Sequence, residues 1–171
     1  MLACLDVFYA GSAATAACIL FDGWTATAPA EELVRHFTDV AEYESGNFYK
    51  RELPCLIGTI DSLSRRPQTI IIDGYVWLSS AGRPGLGAHL FDALGRSTPV
   101  VGVAKSAFPD APAVKVFRGQ SRTPLYVTAA GVDVASAAEN IRSMAGTHRI
   151  PDMLRFVDRL CRKAAISGVG D

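Results

Sequence analysis

The sequence has no surplus of charge of either sign: 17 basic residues balance 17 acidic residues over 171 positions. Proteins that are held on nucleic acid by their overall electrostatic field carry an excess of positive charge. A nucleic-acid partner would therefore have to be held by a local basic patch or by a metal ion. Disorder is excluded as well, because 49% of the residues are hydrophobic and only 20% are charged.

The chain also has no apolar run long enough to cross a membrane and no secretory leader with a cleavage site. We therefore expect a cytoplasmic protein without a membrane partner. The length fits one domain of roughly 150 residues, and no linker or repeat divides it. The sequence thus predicts a single domain over residues 1–171.

The motifs of several enzyme and metal-site classes are missing. The four cysteines form no Cys-x-x-Cys pair, which makes a zinc site improbable and favours reduced, buried thiols. No Gly-x-Ser-x-Gly is present, and the glycine-rich run at residues 82–87 lacks the Gly-Lys-Ser/Thr ending of a phosphate-binding loop. Serine hydrolases and P-loop nucleotide-binding proteins are therefore disfavoured.

The first forty residues predict a β-hairpin followed by a helix. Apolar runs at 2–5 and 17–21 flank Gly11-Ser12, as strands flank a turn. Residues 25–28 suggest a short third strand, and Pro29 suggests the entry to a helix that carries Leu33, Phe37 and Val40 on one face.

The remainder of the chain alternates between helix and strand patterns. Residues 42–51 are typical of a loop, and Glu52 then starts a helix whose Pro54 is tolerated in the first turn. An unbroken β-branched strand ends at Asp73, a helix follows at 86–94, and strand-like runs occupy 99–105, 113–117 and 125–128 before two final helices. This order predicts an α/β fold, a mixed β-sheet flanked by helices.

Three acidic residues occupy positions at which a catalytic site would form. Asp6 and Asp73 each end an apolar strand, and Glu52 begins the helix before the second of these strands. Any one of them alone is more simply explained as the end of its element. Three carboxylates at one sheet edge repel each other unless a hard cation binds, and Mg²⁺ or Mn²⁺ fits this ligand set. Such a metal site favours phosphodiester hydrolysis.

Lys105, at the end of another strand, is either a phosphate contact or a solvated strand terminus.

These residues resemble the endonuclease V family, Mg²⁺-dependent nucleases with an RNase H-like fold that cut DNA or RNA near deaminated bases, chiefly inosine. The matching motifs are Asp6, Arg51-Glu52, Ile72-Asp73-Gly74, Gly85 to His89, Gly102 to Ser106, Leu125 to Val127 and Arg149-Ile150-Pro151. The resemblance implies that Asp6, Glu52 and Asp73 bind the metal and are catalytic together with Lys105, in a role such as DNA repair. It further implies substrate contacts from Tyr43, Gly46, Arg51, Gly74, Tyr75 and His89.

The departures from the family pattern fall on substrate recognition. Of the Pro-Tyr-Ile-Pro wedge, aligned with residues 42–45, only Tyr43 and the following Gly46 remain. The family's Asp-Gly-His-Gly becomes Asp-Gly-Tyr-Val at 73–76. Its late Gly-His-Arg, whose histidine assists at the metal site, aligns with residues 130–132, and Asp133 is the nearest polar substitute.

Two functions remain in view. The first is a divergent Mg²⁺-dependent endonuclease that leaves a 5′-phosphate on DNA or RNA and acts as a monomer, with a dimer left open. The second is a non-catalytic relative that serves as a binding or regulatory module. A third hypothesis, that the resemblance is coincidental, is disfavoured by the number of matching motifs. Five arginines suggest either a strand-binding patch or an ordinary solvated face: Arg118, Arg122, Arg142, Arg149 and Arg155.

Overall fold

A computed structural model describes residues 1–38, 40 and 48–167 of the protein. Seven strands and four helices follow one another in this described part. The elements are β1 (Leu2–Ala10), β2 (Ala13–Phe21), β3 (Glu31–Phe37), α1 (Phe48–Ile60), β4 (Thr69–Asp73), α2 (Leu86–Ala93), β5 (Val100–Ala104), β6 (Val114–Val116), β7 (Leu125–Ala130), α3 (Val134–Ser143) and α4 (Asp152–Ser167).

The strands form one mixed sheet in the order β3-β2-β1-β4-β5-β7-β6. The first three strands pair antiparallel, β1, β4 and β5 pair parallel, and β7 runs antiparallel to both β5 and β6. Parallel neighbours bring the ends of β1, β4 and β5 to the same edge of the sheet.

Helices cover both faces of the sheet, which gives two hydrophobic layers. Side chains alternate along β4, so Ile71 packs with Ile141 of α3 and Leu154 of α4, whereas Ile72 packs with Leu56 of α1 and Leu90 of α2. The predicted mixed sheet with flanking helices is confirmed. The cysteines are free and buried, as expected.

The predicted helix after Pro29 is wrong, because the segment Glu31–Phe37 is strand β3. It pairs antiparallel with β2, from Leu20 opposite Glu31 to Ala14 opposite Phe37. Leu33 and Phe37 are four residues apart, a spacing that places them on one face of a helix. The same even spacing also places them on one face of a strand. Tertiary pairing along β2 decides between the two. Residues 25–28 lie in turn and bend structure rather than in a strand.

The helix that contains Glu52, α1, begins earlier than predicted. It starts at Phe48, so Glu52 lies in its second turn and Pro54 lies inside it. The predicted loop at 42–51 is therefore wrong over residues 48–51, and residues 42–47 lie outside the described part. None of the described helices is long and apolar enough to cross a membrane.

Candidate active site

Two of the predicted acids lie side by side at one edge of the sheet. Leu5 of β1 pairs with Ile72 of β4, so the next residues, Asp6 and Asp73, are neighbours. Cys4 and Ile71, two positions earlier, face the layer of α3 and α4. Alternation therefore directs both carboxylates towards that same layer.

Lys105 reaches the same edge from β5. Asp73 pairs with Val103, and the Lys105 Nζ donates to the Asp73 Oδ2 at 2.5 Å. Both side chains are about two-fifths exposed, at 44% and 39%. Lys105 is thus a direct partner of an acid in the cluster.

The third predicted acid, Glu52, approaches from α1 and is buried, with 8% exposure. Burial, together with the nearby charges of Asp6 and Asp73, raises the pKa of its carboxyl to about 8. Among the described residues, no hydrogen bond or ion pair to Glu52 offsets this effect. Without a cation, these effects favour the protonated form of this carboxyl.

Asp6 is shifted in the same direction. Burial, together with the charges of Asp73 and Asp158, raises its pKa to about 6. The amide of Val7 and the charge of Lys105 oppose it. Repulsion among carboxylates, which a bound cation would relieve, is therefore a property of this edge.

Asp158 of α4 is a fourth acid, which the sequence analysis missed. A small cavity of about 20 Å³ is lined by six apolar residues and by Asp6, Asp73, Lys105 and Asp158, and that volume suits about one water-sized species. Asp158 accepts from Arg162 Nε at 2.9 Å. The sequence signal that could have found it is an acid one turn after Leu154, next to the apolar face of α4.

The acids suit a hard divalent cation in their chemistry. Carboxylate oxygens are the ligands that Mg²⁺ and Mn²⁺ prefer, and Asp6, Asp73 and Asp158 converge on one ion-sized cavity. In the arrangement described, however, no three histidine, cysteine or acidic side chains among the described residues are close enough to hold a metal ion directly. The ion pair between Lys105 and Asp73 occupies one of the required carboxylates.

Asp73 also borders a second cavity, which is lined by two of the six predicted substrate contacts. Gly74 and Tyr75 line it, and the Tyr75 hydroxyl donates to the carbonyl of Ser106 at 2.7 Å. His89 is not among the residues that line this cavity; its ring stacks on Tyr49 with centroids 3.6 Å apart.

The remaining predicted contacts lie elsewhere or are not described. Arg51 stacks over the Tyr9 ring at 3.9 Å and donates to the carbonyl of Gly11, so it ties α1 to the β1–β2 hairpin. Tyr43 and Gly46 fall outside the described residues.

Comparison with known proteins identifies the family to which the chain belongs. The profile of the family described as Endonuclease V matches residues 1–120. The chain belongs to the endonuclease V family. Endonuclease V of Streptomyces avermitilis is 30% identical over 158 residues, which cover 78% of this chain and 68% of the relative. Endonuclease V of Nocardia farcinica is 31% identical over 183 residues, covering 94% of this chain and 78% of the relative.

Solved structures of the endonuclease V family share the fold. The Streptomyces avermitilis enzyme superposes with a TM-score of 0.79 at 27% identity, covering 99% of this chain and 82% of that one. Endonuclease V of Ciona intestinalis, solved with a 24mer DNA containing an inosine followed by a ribo-adenosine, gives 0.82 at 16% identity and covers 97% and 85%. The predicted RNase H-like fold is confirmed.

Ala130, in the stretch that the sequence analysis matched to a late Gly-His-Arg motif, lies at the opposite edge of the sheet from the acids. Ala130 of β7 pairs with Val100, at the start of β5, whereas Tyr126 pairs with Ala104 at the acidic edge. Asp133 caps α3 by accepting from the amide of Ser136 at 2.8 Å. Asp133 is therefore no substitute at the acidic site, and Asp158 is the additional polar group there.

Arg118 fits neither alternative left open for the arginines, a strand-binding patch or a solvated face. This side chain is 6% exposed and donates to backbone carbonyls between Arg142 and Arg149, including that of Gly146 at 3.1 Å. Burial lowers its pKa from the usual value. Arg149 donates to the carbonyl of Pro124 at 2.8 Å and to that of Lys105. Both arginines hold backbone rather than presenting charge to a nucleic-acid strand.

Proposed function

We propose that the protein is a divergent endonuclease V-like, Mg²⁺- or Mn²⁺-dependent endonuclease that hydrolyses phosphodiester bonds in DNA or RNA. The observation that carries this proposal is the convergence of Asp6, Asp73 and Asp158 with Lys105 on one small cavity. Glu52 adds a buried carboxyl whose pKa is raised by the same acids.

Metal binding and phosphate contact are assigned to different residues of the chain. Asp6, Glu52 and Asp73 would hold the metal together with Asp158, and the metal would activate water and neutralise charge on the phosphoryl group. Lys105 sits where its ammonium can leave Asp73 and contact a phosphate oxygen. Because hydrolysis places extra negative charge on the phosphoryl oxygens, a cation at this position stabilises the transition state.

The substrate side is the cavity that adjoins Asp73. Gly74 and Tyr75 line it, so a base held there lies next to the backbone bond that the acids would cut. The Ciona intestinalis relative was solved with inosine-containing DNA, and the deaminated base inosine is the first lesion to test.

A non-catalytic binding module is the second candidate, and one observation favours it. The described side chains do not assemble a three-ligand metal site, and Lys105 occupies Asp73. Such a protein would bind nucleic acid through the same edge without cutting it.

Cleavage of a labelled oligonucleotide panel tests the proposal. Strands with and without inosine, as DNA and as RNA, are incubated with Mg²⁺, with Mn²⁺ and with a chelator. We expect metal-dependent cutting that Asp6→Asn and Asp73→Asn each reduce by at least about a hundredfold. Asp92→Asn is the control, because Asp92 forms an exposed ion pair with Arg96 away from the site. The same background in wild type and both variants would favour the binding module.

A further inference from the structure

Strand β3 forms one open edge of the sheet. It is the outermost strand, beside β2, and its outer side pairs with no described strand. It is seven residues long, whereas β6, the strand at the opposite end of the sheet, has only three. Proteins protect sheet edges with short strands, proline or charges, because an open edge offers its backbone groups to another strand. Residues 31–37 contain no proline, so only their charges could oppose pairing.

The order of charges along β3 favours pairing with a second copy of the same strand. Glu31 and Glu32 lie at its start, and Arg35 and His36 lie near its end. An antiparallel partner of the same sequence places the acidic half of each strand opposite the basic half of the other, whereas a parallel partner places acid opposite acid. None of these four side chains forms an ion pair with another described residue. Their charges are therefore not yet paired within one copy.

The apolar side chains of β3 are only partly covered. Val34 is half-buried on the face towards α4, and Leu33 and Phe37 are half-buried on the face towards α1. Helix α4 does not close over this edge, because a cavity of about 360 Å³ lies between the helix and β3. Its lining residues are Glu32, Phe156, Arg159, Leu160 and Lys163. A strand added beside β3 would remove more of this apolar surface from water.

We infer that a second copy of the protein pairs antiparallel with β3, which gives a homodimer with one sheet continuous across both copies. The pairing is centred on Val34, because this register uses all seven residues of each strand. It places Glu32 opposite His36 of the second copy, and the two-fold symmetry repeats this contact. The Nδ1 of His36 lies 3.1 Å from the Thr15 hydroxyl, so the other ring nitrogen is left for the Glu32 carboxylate.

The same register also pairs charges on the other face of the sheet and leaves the acidic site open. Glu31 lies diagonally across from Arg35 of the second copy, within reach of its long side chain. The dimer axis is perpendicular to the sheet, so the acidic edges of the two copies point in opposite directions. Because β2 separates β3 from β1, which carries Asp6, the dimer covers neither site. The inference therefore goes beyond the proposed hydrolysis and does not depend on it.

Sedimentation velocity over a range of protein concentrations tests this inference. The wild type should sediment as a species of 18.2 kDa at about 1 μM and at twice this mass at about 300 μM, because a single strand pair makes a small, weak interface. A mass of 18.2 kDa at the highest concentration overturns the inference. Hydrogen exchange on the same wild-type samples locates the contact. The β3 amides should exchange at least about threefold more slowly in the dimer, with β6 unchanged. A dimer without added β3 protection overturns the inference.

Charge exchange between two variants tests the register. Glu32→Lys and His36→Glu should each weaken dimerisation by at least about tenfold, because each places like charges across the contact. An equimolar mixture should restore it, since positions 32 and 36 then carry opposite charges in both contacts. Glu139→Lys is the matched control, because it makes the same charge change in a surface ion pair on α3. Undiminished dimers in either single variant, or a mixture of the folded variants that dimerises no better than each alone, overturn the inference. The exchange measurement decides it on the wild type alone if a variant fails to fold.

Discussion

At the scale of single residues, the site is dominated by carboxyl groups that resist ionisation. Glu52 is the clearest case, since burial raises its pKa from 4.5 to about 8. In the unfolded chain this group loses its proton near its ordinary pKa, so between about pH 4.5 and 8 the folded state binds more protons than the unfolded state. Stability must therefore fall as pH rises through this interval.

Glu52→Gln tests this linkage. The amide cannot ionise, so the metal-free variant should lose the part of the pH dependence that Glu52 causes, on the order of a few kcal/mol between pH 5 and 8. Urea unfolding at several pH values, with a chelator present, measures it. Identical pH profiles for the variant and the wild type would contradict the assignment. Excess Mn²⁺ should flatten the wild-type profile, because a bound cation favours the ionised carboxylates.

A metal titration tests whether Asp158 contributes to metal binding. If it faces a cation with Asp6 and Asp73, Asp158→Asn should weaken Mn²⁺ binding by about tenfold or more. Glu139→Gln is the control, because Glu139 forms a surface ion pair with Arg142 on α3. Calorimetric titration measures both. Unchanged affinity in Asp158→Asn would place this residue outside the metal site.

At the scale of elements, the acidic edge depends on the close approach of β5 to the segment after β4. A Cβ atom at Gly102 would lie 2.5 Å from the carbonyl oxygen of Gly74 and 2.9 Å from the amide nitrogen of Val76. These are backbone atoms, so an added methyl group must displace the chain that follows Asp73.

Gly102→Ala should therefore affect both stability and activity. We expect a loss of about 1–3 kcal/mol in unfolding free energy, and a cleavage rate that falls by roughly a hundredfold if Asp73 moves by about 1 Å. Gly58→Ala in α1 is the matched control, since among the described residues its Cβ atom would meet only the Phe37 ring, at 3.1 Å. Urea unfolding and the cleavage assay are run on both. Equal behaviour of the two variants would refute the packing explanation.

The same scale shows what the sequence could predict. The run Thr69–Asp73 is β-branched and ends on an acid, so both the strand and the edge position of Asp73 were predictable. The segment Glu31–Phe37 was not, because its apolar spacing fits helix and strand alike and β2 makes the choice. Asp158 was missed because the sequence does not show which helix covers the face that Asp6 points to.

At the scale of the whole molecule, electrostatics limits how nucleic acid can bind. Seventeen cations balance seventeen anions, so the overall field attracts no polyanion. The buried Arg118 and the backbone-bound Arg149 are not available to phosphate. Exposed cations remain on α4, the helix that carries Asp158, and they include Arg159 and Lys163. A strand that reaches the acids should cross this helix.

This arrangement predicts a modest and localised dependence on salt. With about four phosphate contacts, the logarithm of the affinity for a single strand should fall with the logarithm of salt concentration with a slope of roughly −3. Replacing Arg159 and Lys163 by glutamate should lower affinity and flatten this slope. The matched control replaces Arg65 and Arg66, which are exposed just before β4 and therefore lie at the edge opposite the acids. Anisotropy titrations over a range of salt concentrations separate the cases. If both double variants weaken binding equally, net charge governs binding. A loss of affinity only in the α4 double variant would instead show that the strand crosses this helix on its way to the acids.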